Sequence, residues 1–586
     1  MSSSPHPISG KAVICDTLID AVAEPQQFLL FLLKPSHYDD DGYVIQWMRS
    51  AIPSNTLACL YGLAQDSNRR RVLGDDVEIV VQAYDETNSA LPLKRIAKEL
   101  RGRKGMVGMV GVQSNQFPRA MDIARPLRAA GIQVVMGGFH VSGCLAMSPE
   151  ATPELQEAMD LGISLFAGEA EGRLDEVLRD AWGNELKPLY NYLADLPALE
   201  GAPIPILPEG RIRRTAGNMT SFDAGRGCPF RCSFCTIINV QGRKSRSRSA
   251  GDVEQIVRRN LAQGINRFFI TDDNFARNSE WEAIFDRLIA MRENERQNIK
   301  FVIQVDTMCH RLPHFIEKAR RAGVARVFIG LESIHPESLL GSRKKQNQIA
   351  EYRKMLLEWK SAGVTVFAGY IVGFPNDTPE SVRRDIGIIQ RELPIDLLEP
   401  HCLTPLPGSE DHLKLRQAGA WLDPDLNKYD LEHVTSEHAR MTTGEWERTY
   451  RDAWVSYFSR EHMETVMRRA AATPGMSAGN MMFLLLWFYT CIVLEKVDPL
   501  QGGYLRLKSR TNRRDTFPRE NPFVFYPRYA AELLSKHLRL AGAIAHFYRF
   551  RRKLKQDPTA RSYSDQALTP VSESEAESLE MFSAIP

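Results

Sequence analysis

Three of the nine cysteines lie within eight residues, and their spacing is the clearest chemical signal in the 586-residue chain. Cys228, Cys232 and Cys235 form a C-x3-C-x2-C pattern. Three thiolates on one tight loop can bind three irons of a 4Fe-4S cluster, for which four cysteines are the usual number. The fourth iron then keeps an open coordination position, which is typical of a catalytic metal site. A structural zinc ion with Cys309 or His310 as its fourth ligand is the alternative, although zinc ligands usually come as separated pairs.

The cysteine loop follows the first strand of a predicted α/β series that spans residues 221–412. Six buried strands alternate with helices in this series, and chemistry at such sheets lies at the carboxyl ends of the strands. The pattern predicts a partial (β/α)6 barrel. The strands are predicted at about 221–224, 267–271, 301–305, 326–331, 365–371 and 396–403, and the helices at 250–263, 279–292, 312–322, 346–362 and 378–392.

A separate α/β domain is predicted before it, over residues 25–185. Short apolar runs at 28–33, 77–82, 106–112, 132–136 and 163–166 alternate with helical segments. Continuous apolar strands are typical of parallel sheets that are covered on both faces, so the fold class is a doubly wound, Rossmann-like domain. Ligands of such domains bind outside the carboxyl ends of the strands.

The remaining segments are assigned by composition. The Pro-rich stretch 186–220 is predicted to be a linker, because proline breaks helices and it shows little periodicity. Residues 413–555 are predicted to form a mainly helical C-terminal domain. The segment 556–586 is rich in Ser, Glu and Pro and is predicted to be disordered.

The charge of the whole chain is nearly balanced, with 74 Lys and Arg against 72 Asp and Glu. The net charge of +2 indicates neither a nucleic-acid nor an acidic partner. The segment Met-Ser-Ser-Ser-Pro-His-Pro at the start lacks the pattern of a secretory signal, so a cytoplasmic location is expected. The longest apolar run, Met481–Leu494, is shorter than the roughly 20 residues of a spanning helix. It is predicted to be a core helix or to line a pocket for a large apolar substrate.

Two basic segments leave their role open. Arg243–Arg248 follows the cysteine loop and suits either a phosphate or anionic substrate or plain solvation. Arg549–Lys555 is favoured as a charged helix end, with an anionic membrane surface or nucleic acid as the alternatives. No nucleic-acid partner is expected, while peripheral membrane contact stays open.

The cysteine segment, with Phe234 before its last cysteine, resembles the signature of the radical S-adenosylmethionine (SAM) enzymes. The resemblance implies a 4Fe-4S cluster on the three cysteines, SAM chelated by the open iron, and a 5′-deoxyadenosyl radical that abstracts hydrogen from the substrate. Thr271-Asp-Asp273 stands where the family usually has Gly-Gly-Glu after the second strand. The SAM contacts implied by the resemblance are Phe234, Thr271, Asp273, Gln304, Glu332 and Gly373.

Three motifs of the N-terminal domain resemble the cobalamin-binding domain of the cobalamin-dependent radical SAM enzymes. They are Gly111-Val-Gln-Ser114, Val135-Met-Gly-Gly-Phe-His140 and Gly168-Glu-Ala-Glu171. The loop around His37 lacks Asp-x-His-x-x-Gly, so His37 is not expected to ligate cobalt. A Rossmann-like domain with a nucleotide or no ligand is the alternative, although no Gly-x-Gly-x-x-Gly phosphate loop is present. The implied cobalamin contacts are Gln113, Ser114, Gly137, Gly138, His140, Gly168 and Glu169.

Together these resemblances imply cobalamin-dependent methyl transfer to an unactivated carbon. Cobalamin-assisted cyclisation or rearrangement is the alternative within the enzyme class. The implied partners are a small-molecule or lipid-like substrate and an electron donor such as flavodoxin or ferredoxin. A zinc-stabilised module that binds nucleic acid is the alternative of a different class.

Overall fold

The computed structural model describes residues 25–148 and 150–571, and its N-terminal part contains a six-stranded parallel sheet. The strands up to residue 191 are β1 (Gln26–Lys34), β2 (Trp47–Ser50), β3 (Val77–Asp85), β4 (Gly105–Met109), β5 (Gln133–Gly137), β6 (Ser164–Ala167) and β7 (Leu189–Asn191). All except β2 lie in this sheet, in the order β3-β1-β4-β5-β6-β7. The α/β prediction for this part of the chain is confirmed.

Helices cover both faces of the first sheet, which explains the continuous apolar sequence of its strands. Leu29, Phe31 and Leu33 of β1 pack with one set of helices, and Phe28 and Leu30 pack with the other set. The first set contains α2 (Leu93–Leu100), α3 (Phe117–Ala129), α4 (Phe139–Met147) and α5 (Pro153–Asp160), and the second contains α1 (Asn55–Arg69) and α6 (Leu174–Gly183).

The segment 186–220 is more than a linker, which corrects the sequence prediction. Its first part forms β7, which pairs with β6 and extends the first sheet beyond residue 185. It also contains α7 (Glu209–Ile212) and the start of β8 (Met219–Phe222). A strand of three residues is too short to show a periodic pattern, so composition alone could not detect β7.

The second parallel sheet has the order β15-β14-β13-β12-β11-β8, with β8 and β15 at its edges. Each of its six strands lies within a few residues of a predicted one. The strands after β8 are β9 (Gly225–Arg226), β10 (Arg246–Ser247), β11 (Arg267–Ile270), β12 (Lys300–Val305), β13 (Val324–Glu332), β14 (Thr365–Val372), β15 (Leu397–Cys402) and β16 (Gly503–Arg506). The antiparallel pair β9–β10 lies outside this sheet, and β16 pairs with β2.

Helices follow the strands of the second sheet and share its hydrophobic core with the C-terminal helices. Those up to residue 417 are α8 (Ile237–Val240), α9 (Ala250–Leu261), α10 (Trp281–Glu293), α11 (Phe315–Ala322), α12 (Pro336–Gly341), α13 (Tyr352–Ser361), α14 (Pro379–Glu392) and α15 (Glu410–Gln417). The C-terminal ones are α16 (Thr443–Tyr457), α17 (Arg460–Ala472), α18 (Ala478–Tyr489) and α19 (Pro522–Gln556).

The apolar segment around α18 belongs largely to this core. By length and composition Ala478–Glu495 could cross a membrane, but a core helix passes the same test. Leu484, Leu485 and Phe488 are buried, and Phe488 packs edge-on against Phe367 of β14. The packing therefore agrees with the predicted core helix.

The end of the chain is structured further than its composition predicted. Asp565 accepts a hydrogen bond from Arg469 of α17 at 2.7 Å, and Ala560 and Ala567 are buried. The prediction of disorder from residue 556 is therefore wrong as far as residue 571, because a long-range ion pair is invisible to composition. Residues 572–586 lie outside the described residues.

Candidate functional site

The loop with the three cysteines is held tightly between β9 and β10. Gly227 has φ +88°, and a Cβ there would lie 2.6 Å from the Lys244 carbonyl oxygen, so only glycine fits. The Cys228 N–H donates to the Gly242 carbonyl at 3.2 Å, and the Cys235 N–H donates to the Cys232 carbonyl at 3.2 Å. These bonds close the loop directly after the first strand of the second sheet.

The thiol environment fits a cluster better than a single zinc ion. Burial raises the pKa of Cys228 to about 11 and that of Cys235 to about 12, with Asp273 and Cys232 adding to both shifts. Thiolate ligands must be deprotonated, and bound iron would supply the positive charge that burial demands. Sulfurs about one zinc would lie roughly 4 Å apart, given bonds of about 2.3 Å. Among the described residues, the group of three whose ligand atoms all lie within 4.8 Å of one another is His140, Cys144 and Glu154, and not the three cysteines. The cysteine sulfurs are therefore farther apart than one zinc ion requires.

Both residues considered as a fourth zinc ligand are engaged elsewhere. The His310 Nε2 atom lies 2.8 Å from the Glu351 carboxylate, and Nδ1 lies 3.1 Å from the Thr307 carbonyl oxygen. Cys309 is fully buried in the hydrophobic core of the second sheet. Neither side chain is therefore free to complete a zinc site with the cysteine loop.

The two acidic residues after β11 have different environments. The Asp272 carboxylate accepts the N–H groups of Ala224 and Gly225 at 2.7 and 2.8 Å, so it fixes the segment before the cysteines. Burial raises the pKa of Asp273 to about 7, and its charge acts on Cys228. Asp273 is therefore near enough to Cys228 to affect its charge, and its contact with SAM stays a prediction.

The other predicted SAM contacts of the middle strands lie at the same edge. The Thr271 N–H donates to the Phe222 carbonyl at 2.9 Å, and the Gln304 Nε2 donates to the Asp272 carbonyl at 3.3 Å. These bonds connect the ends of β8, β11 and β12.

Glu332 is held close to the cysteine loop by a residue that the sequence did not single out. Its backbone is left-handed, with φ +66°, and its carboxylate forms an ion pair with Lys344. The Lys344 ammonium also lies 5.9 Å from the centre of the Phe234 ring. Gln346, two residues on, donates to the Cys232 sulfur at 3.5 Å. The segment after α12 thus joins three of the predicted positions.

Gly373, one of the predicted SAM contacts, must be a glycine because of how it packs. It has φ +111°, and a Cβ would lie 2.0 Å from the indole ring of Trp446 in α16. The Trp446 Nε1 donates to the Val372 carbonyl at 2.9 Å. The space beside Gly373 is therefore filled by a C-terminal helix, so packing alone accounts for the glycine and its contact with SAM stays a prediction.

A cavity of about 190 Å³ lies in the N-terminal domain, between α1, α6 and one face of the first sheet. Its walls are mostly apolar and include Leu60, Leu63, Met106, Phe166 and Val177. The carboxyl ends of the strands contribute further lining residues, namely Gly111, Gly137, Gly138, Gly168 and Glu169. Arg226 of β9 and Gln241 of the cysteine loop complete the lining. Four of the seven predicted cobalamin contacts thus line one cavity; α1 and α6 carried no motif that could have predicted the walls.

The other three predicted cobalamin contacts lie beside the cavity. His140 Nδ1 lies 3.1 Å from the Ser114 hydroxyl oxygen, and the Gln113 N–H donates to the Gln116 side chain at 3.1 Å. Burial lowers the pKa of His140 to about 3, so its imidazole is neutral. Its Nε2 atom has no hydrogen-bond partner among the described residues. These contacts support the loops that carry Gly111 and Gly138.

Buried ion pairs connect the cavity to the cysteine loop. Arg226, two residues before Cys228, lies 2.7 Å from Glu169, 2.6 Å from Glu171 and 3.1 Å from Asp223. Burial opposes ionisation of Asp223 and Glu171, yet the neighbouring arginines hold the pKa of both carboxyls below the usual range. The network therefore joins the two sheets by charged groups that are excluded from water.

Two arginines of the basic segment Arg243–Arg248 belong to this network of ion pairs. Arg246 pairs with Glu169, and Arg248 pairs with Asp223 at 3.3 Å. Arg248 is fully buried. These two arginines thus neutralise the protein's own carboxylates, which weighs against an anion site built from them.

Residues 224–387 match the family model of the radical SAM superfamily. The chain contains a radical SAM domain. The matched residues begin just before the cysteine loop and run through β14 into α14. The cysteine loop thus belongs to a radical SAM domain, for which a 4Fe-4S cluster and SAM are the required cofactors.

Relatives with named activities match beyond the radical SAM domain. Bacteriochlorophyllide d C-8(2)-methyltransferase of Chlorobaculum tepidum is 27% identical over 358 residues, which cover 57% of this chain and 74% of that protein. Hopanoid C-2 methylase of Rhodopseudomonas palustris is 24% identical over 318 residues, which cover 53% of this chain and only 58% of the methylase. The apo structure of the cobalamin-dependent S-adenosylmethionine radical enzyme OxsB is similar in fold, with a TM-score of 0.52 and 15% identity. The structural match covers 92% of this chain and 84% of OxsB.

Three acids beside β15, an edge strand of the second sheet, were missed by sequence reasoning. Glu399 of β15 is 1% exposed, and its Oε1 atom has no partner in the part of the chain that the structure describes. Burial raises the pKa of Glu399, of Glu432 and of Asp498, and the Asp498 N–H donates to Glu432 at 2.9 Å. Their sequence separation explains why no motif predicted them.

Proposed function

We propose that this radical SAM enzyme binds cobalamin in its N-terminal domain and transfers a methyl group to an unactivated carbon. The observation that carries the proposal is the cavity of the first sheet, which is joined through Arg226 to the cysteine loop. The two named relatives are methylases, and OxsB, a cobalamin-dependent enzyme, has the same fold. A second cofactor beside the cluster fits this arrangement.

The residues of the radical SAM domain have separate tasks in this proposal. Cys228, Cys232 and Cys235 bind the cluster. Asp273 and Glu332 are the carboxylates placed to bind polar groups of SAM, with Thr271, Gln304, Phe234 and Gly373 as further contacts. When bound, the cluster and SAM supply a 5′-deoxyadenosyl radical and methylcobalamin supplies the methyl group.

The N-terminal domain contributes a flat edge and an apolar slot. Gly137, Gly138 and Gly168 line the cavity, and a Cβ at Gly138 would lie 2.2 Å from the Val112 nitrogen, so the glycines are needed by these turns themselves. The turns leave backbone at the sheet edge, where a flat macrocycle can approach. We assign Glu169 as a positioning residue, because its carboxylate is paired with Arg226 and Arg246. His140, Ser114 and Gln113 support the same loops. We also propose a small-molecule or lipid-like methyl acceptor, an electron donor such as flavodoxin or ferredoxin, and a cytoplasmic location.

The test uses full-length protein that is reconstituted without oxygen. We expect about four irons per chain and a thiolate-to-iron absorption band, both lost in Cys232→Ala. With reductant, SAM and added cobalamin, mass spectrometry should detect 5′-deoxyadenosine and S-adenosylhomocysteine. Deoxyadenosine without S-adenosylhomocysteine would favour cyclisation or rearrangement, and stoichiometric zinc without iron would refute the radical assignment.

A matched pair of variants tests the cobalamin site alone. Leu60→Trp places an indole in the cavity, whereas Leu161→Trp makes the same change at an exposed position of the same domain. We expect Leu60→Trp to retain its iron but to lose at least tenfold in cobalamin retention on gel filtration, with Leu161→Trp unchanged. Equal retention by both variants would contradict the assignment of cobalamin to this cavity.

A further inference from the structure

The longest helix, α19, has two apolar faces, and only one of them is packed against the protein. Phe525, Ala543 and Phe547 are buried and point to one side, since they differ by multiples of about 3.6 residues. The opposite face carries large apolar side chains that are between 57% and 89% exposed. We call this set the outer stripe; it consists of Phe523, Tyr526, Leu534, Leu538 and Tyr548.

A segment beside α19 carries further exposed apolar side chains. Tyr529 of α19 donates to the Arg506 carbonyl at 2.6 Å and accepts the Lys508 N–H at 3.2 Å, so residues 506–508 lie along the helix. Leu505 and Leu507 of this segment are also exposed. Large apolar side chains that are exposed together on one face of a helix mark an interaction site.

The net charge of α19 is much more positive than that of the whole chain. The helix contains eight Lys and Arg and one Glu, a net charge of +7, while the whole chain has +2. Arg539, Arg549, Arg552, Lys553 and Lys555 are exposed, and none of them has a carboxylate within 4.0 Å in the ranges that the structure covers. Their charge is therefore available to an external partner.

We propose that α19 docks the enzyme on the surface of a bilayer that contains anionic lipid. The outer stripe enters the boundary between headgroups and acyl chains, and the basic residues lie over the headgroups, as in interfacial amphipathic helices. A second copy of the chain is a poorer occupant, because it would bring two helices of +7 together. Nucleic acid would use the charge but leave the outer stripe exposed. The inference is independent of the methyl-transfer proposal.

The test measures binding of the full-length protein to vesicles by flotation. We expect binding to vesicles of phosphatidylcholine mixed with phosphatidylserine, and much less to phosphatidylcholine alone. Raising the ionic strength from about 0.1 M to about 1 M shortens the Debye length from about 10 to about 3 Å, and should weaken the binding.

Two variants separate the apolar and the electrostatic parts. Leu534→Gln with Leu538→Gln should lower vesicle binding at least tenfold. Arg552→Gln with Lys553→Gln should lower it about 30-fold, because each cation near an anionic surface contributes about 1 kcal/mol. The control is Leu161→Gln with Leu340→Gln, the same change at exposed leucines on other helices or turns, which should bind as the unaltered protein does.

Each variant is checked for iron content, so that loss of folding is distinguished from loss of docking. The proposal would be refuted if the unaltered protein bound neither vesicle type, or if both types bound equally at every salt concentration. It would also be refuted if the outer-stripe variant turned a dimer into a monomer without changing vesicle binding, or if α19 variants lost only the binding of a DNA oligonucleotide.

Discussion

Replacement of Arg226 by Met tests whether the buried ion pairs hold the two sheets together. The Arg226 side chain is 11% exposed and lies within 3.1 Å of three carboxylates. Methionine keeps much of the apolar volume and removes the charge. Arg246 still pairs with Glu169 in the variant, and Arg248 with Asp223, whereas Glu171 has no other cation within 4.0 Å among the described residues.

The expected cost follows from the burial of these groups. Removing one partner of a buried ion pair typically costs about 3–5 kcal/mol, because a charge is left without compensation. Since Arg246 and Arg248 remain, we expect the lower end, about 3 kcal/mol at neutral pH. A surface pair gives the scale for comparison. Arg70, whose side chain is 49% exposed, pairs with Asp66 and Asp175, and Arg70→Met should cost less than about 1 kcal/mol.

The cost should also depend on pH with a definite sign. The pKa of Glu171 and that of Asp223 are lowered in the folded protein, so their contribution is present above the unfolded pKa of about 4 and is lost as pH falls through the folded value. Without Arg226, no cation offsets the burial of Glu171, so its pKa should rise, whereas Asp223 keeps Arg248. The difference in stability between the unaltered protein and Arg226→Met is therefore largest near pH 7 and shrinks toward acid pH.

The assay is urea unfolding followed by circular dichroism at pH 5 and pH 7.5, with the midpoint of each transition compared because several domains unfold. Arg226→Lys is the matched control, which keeps the charge and loses the forked geometry. The reasoning would be refuted if Arg226→Met were as stable as Arg70→Met at pH 7.5. It would also fail if the deficit were the same at both pH values.

Three further predictions concern the C-terminal half of the chain. Gly373→Ala should lower the free energy of unfolding by at least about 2 kcal/mol, because the new Cβ would overlap the Trp446 ring at a positive φ. The measurement is the thermal midpoint, and an unchanged midpoint would show that α16 can move aside. The raised pKa of Glu399 stabilises the fold at low pH, and this contribution is lost between the unfolded pKa of about 4.3 and the higher folded pKa. Glu399→Gln should therefore become more stable relative to the unaltered protein as pH rises, by up to about 1.4 kcal/mol per pH unit in that interval; urea midpoints at pH 5 and 7.5 test this. Truncation after residue 556 should lower the urea midpoint of unfolding, since it leaves Arg469 without Asp565. Equal midpoints would show that this contact does not stabilise the fold.

The elements that could be predicted are those whose signal is local. Apolar runs of four to nine residues fixed the positions of the parallel strands, because a strand covered on both faces needs such a run. The strand β12, for example, lies at Lys300–Val305 against a prediction of 301–305. The three residues of β7 carry too little sequence to be read this way, and their strand exists only because β6 offers an edge to pair with.

The residues of the candidate site also fall into those with a local sequence signal and those that only the fold brings together. The cysteine spacing is local and predicted the cluster loop, and the glycines after the first-sheet strands predicted the mouth of the cavity. Lys344 could not be found, because it acts only through Glu332 and Phe234, which other elements carry. The carboxyls of Glu399 and Asp498 were hidden for the same reason, since their proximity is a product of the fold.

The two basic segments show why charge in a sequence does not reveal its own use. Arg246 and Arg248 looked available to an anion, but their partners are Glu169, 77 residues away, and Asp223, and both pairs are buried. The basic residues of α19 looked like an ordinary helix end, yet five of them have no carboxylate partner among the described residues. Because the internal arginines cancel charges of the protein itself, the small net charge of the chain does not reveal the concentration of exposed cations on α19. That concentration, beside an exposed apolar stripe, makes α19 the part of the surface where salt and lipid composition should act most strongly.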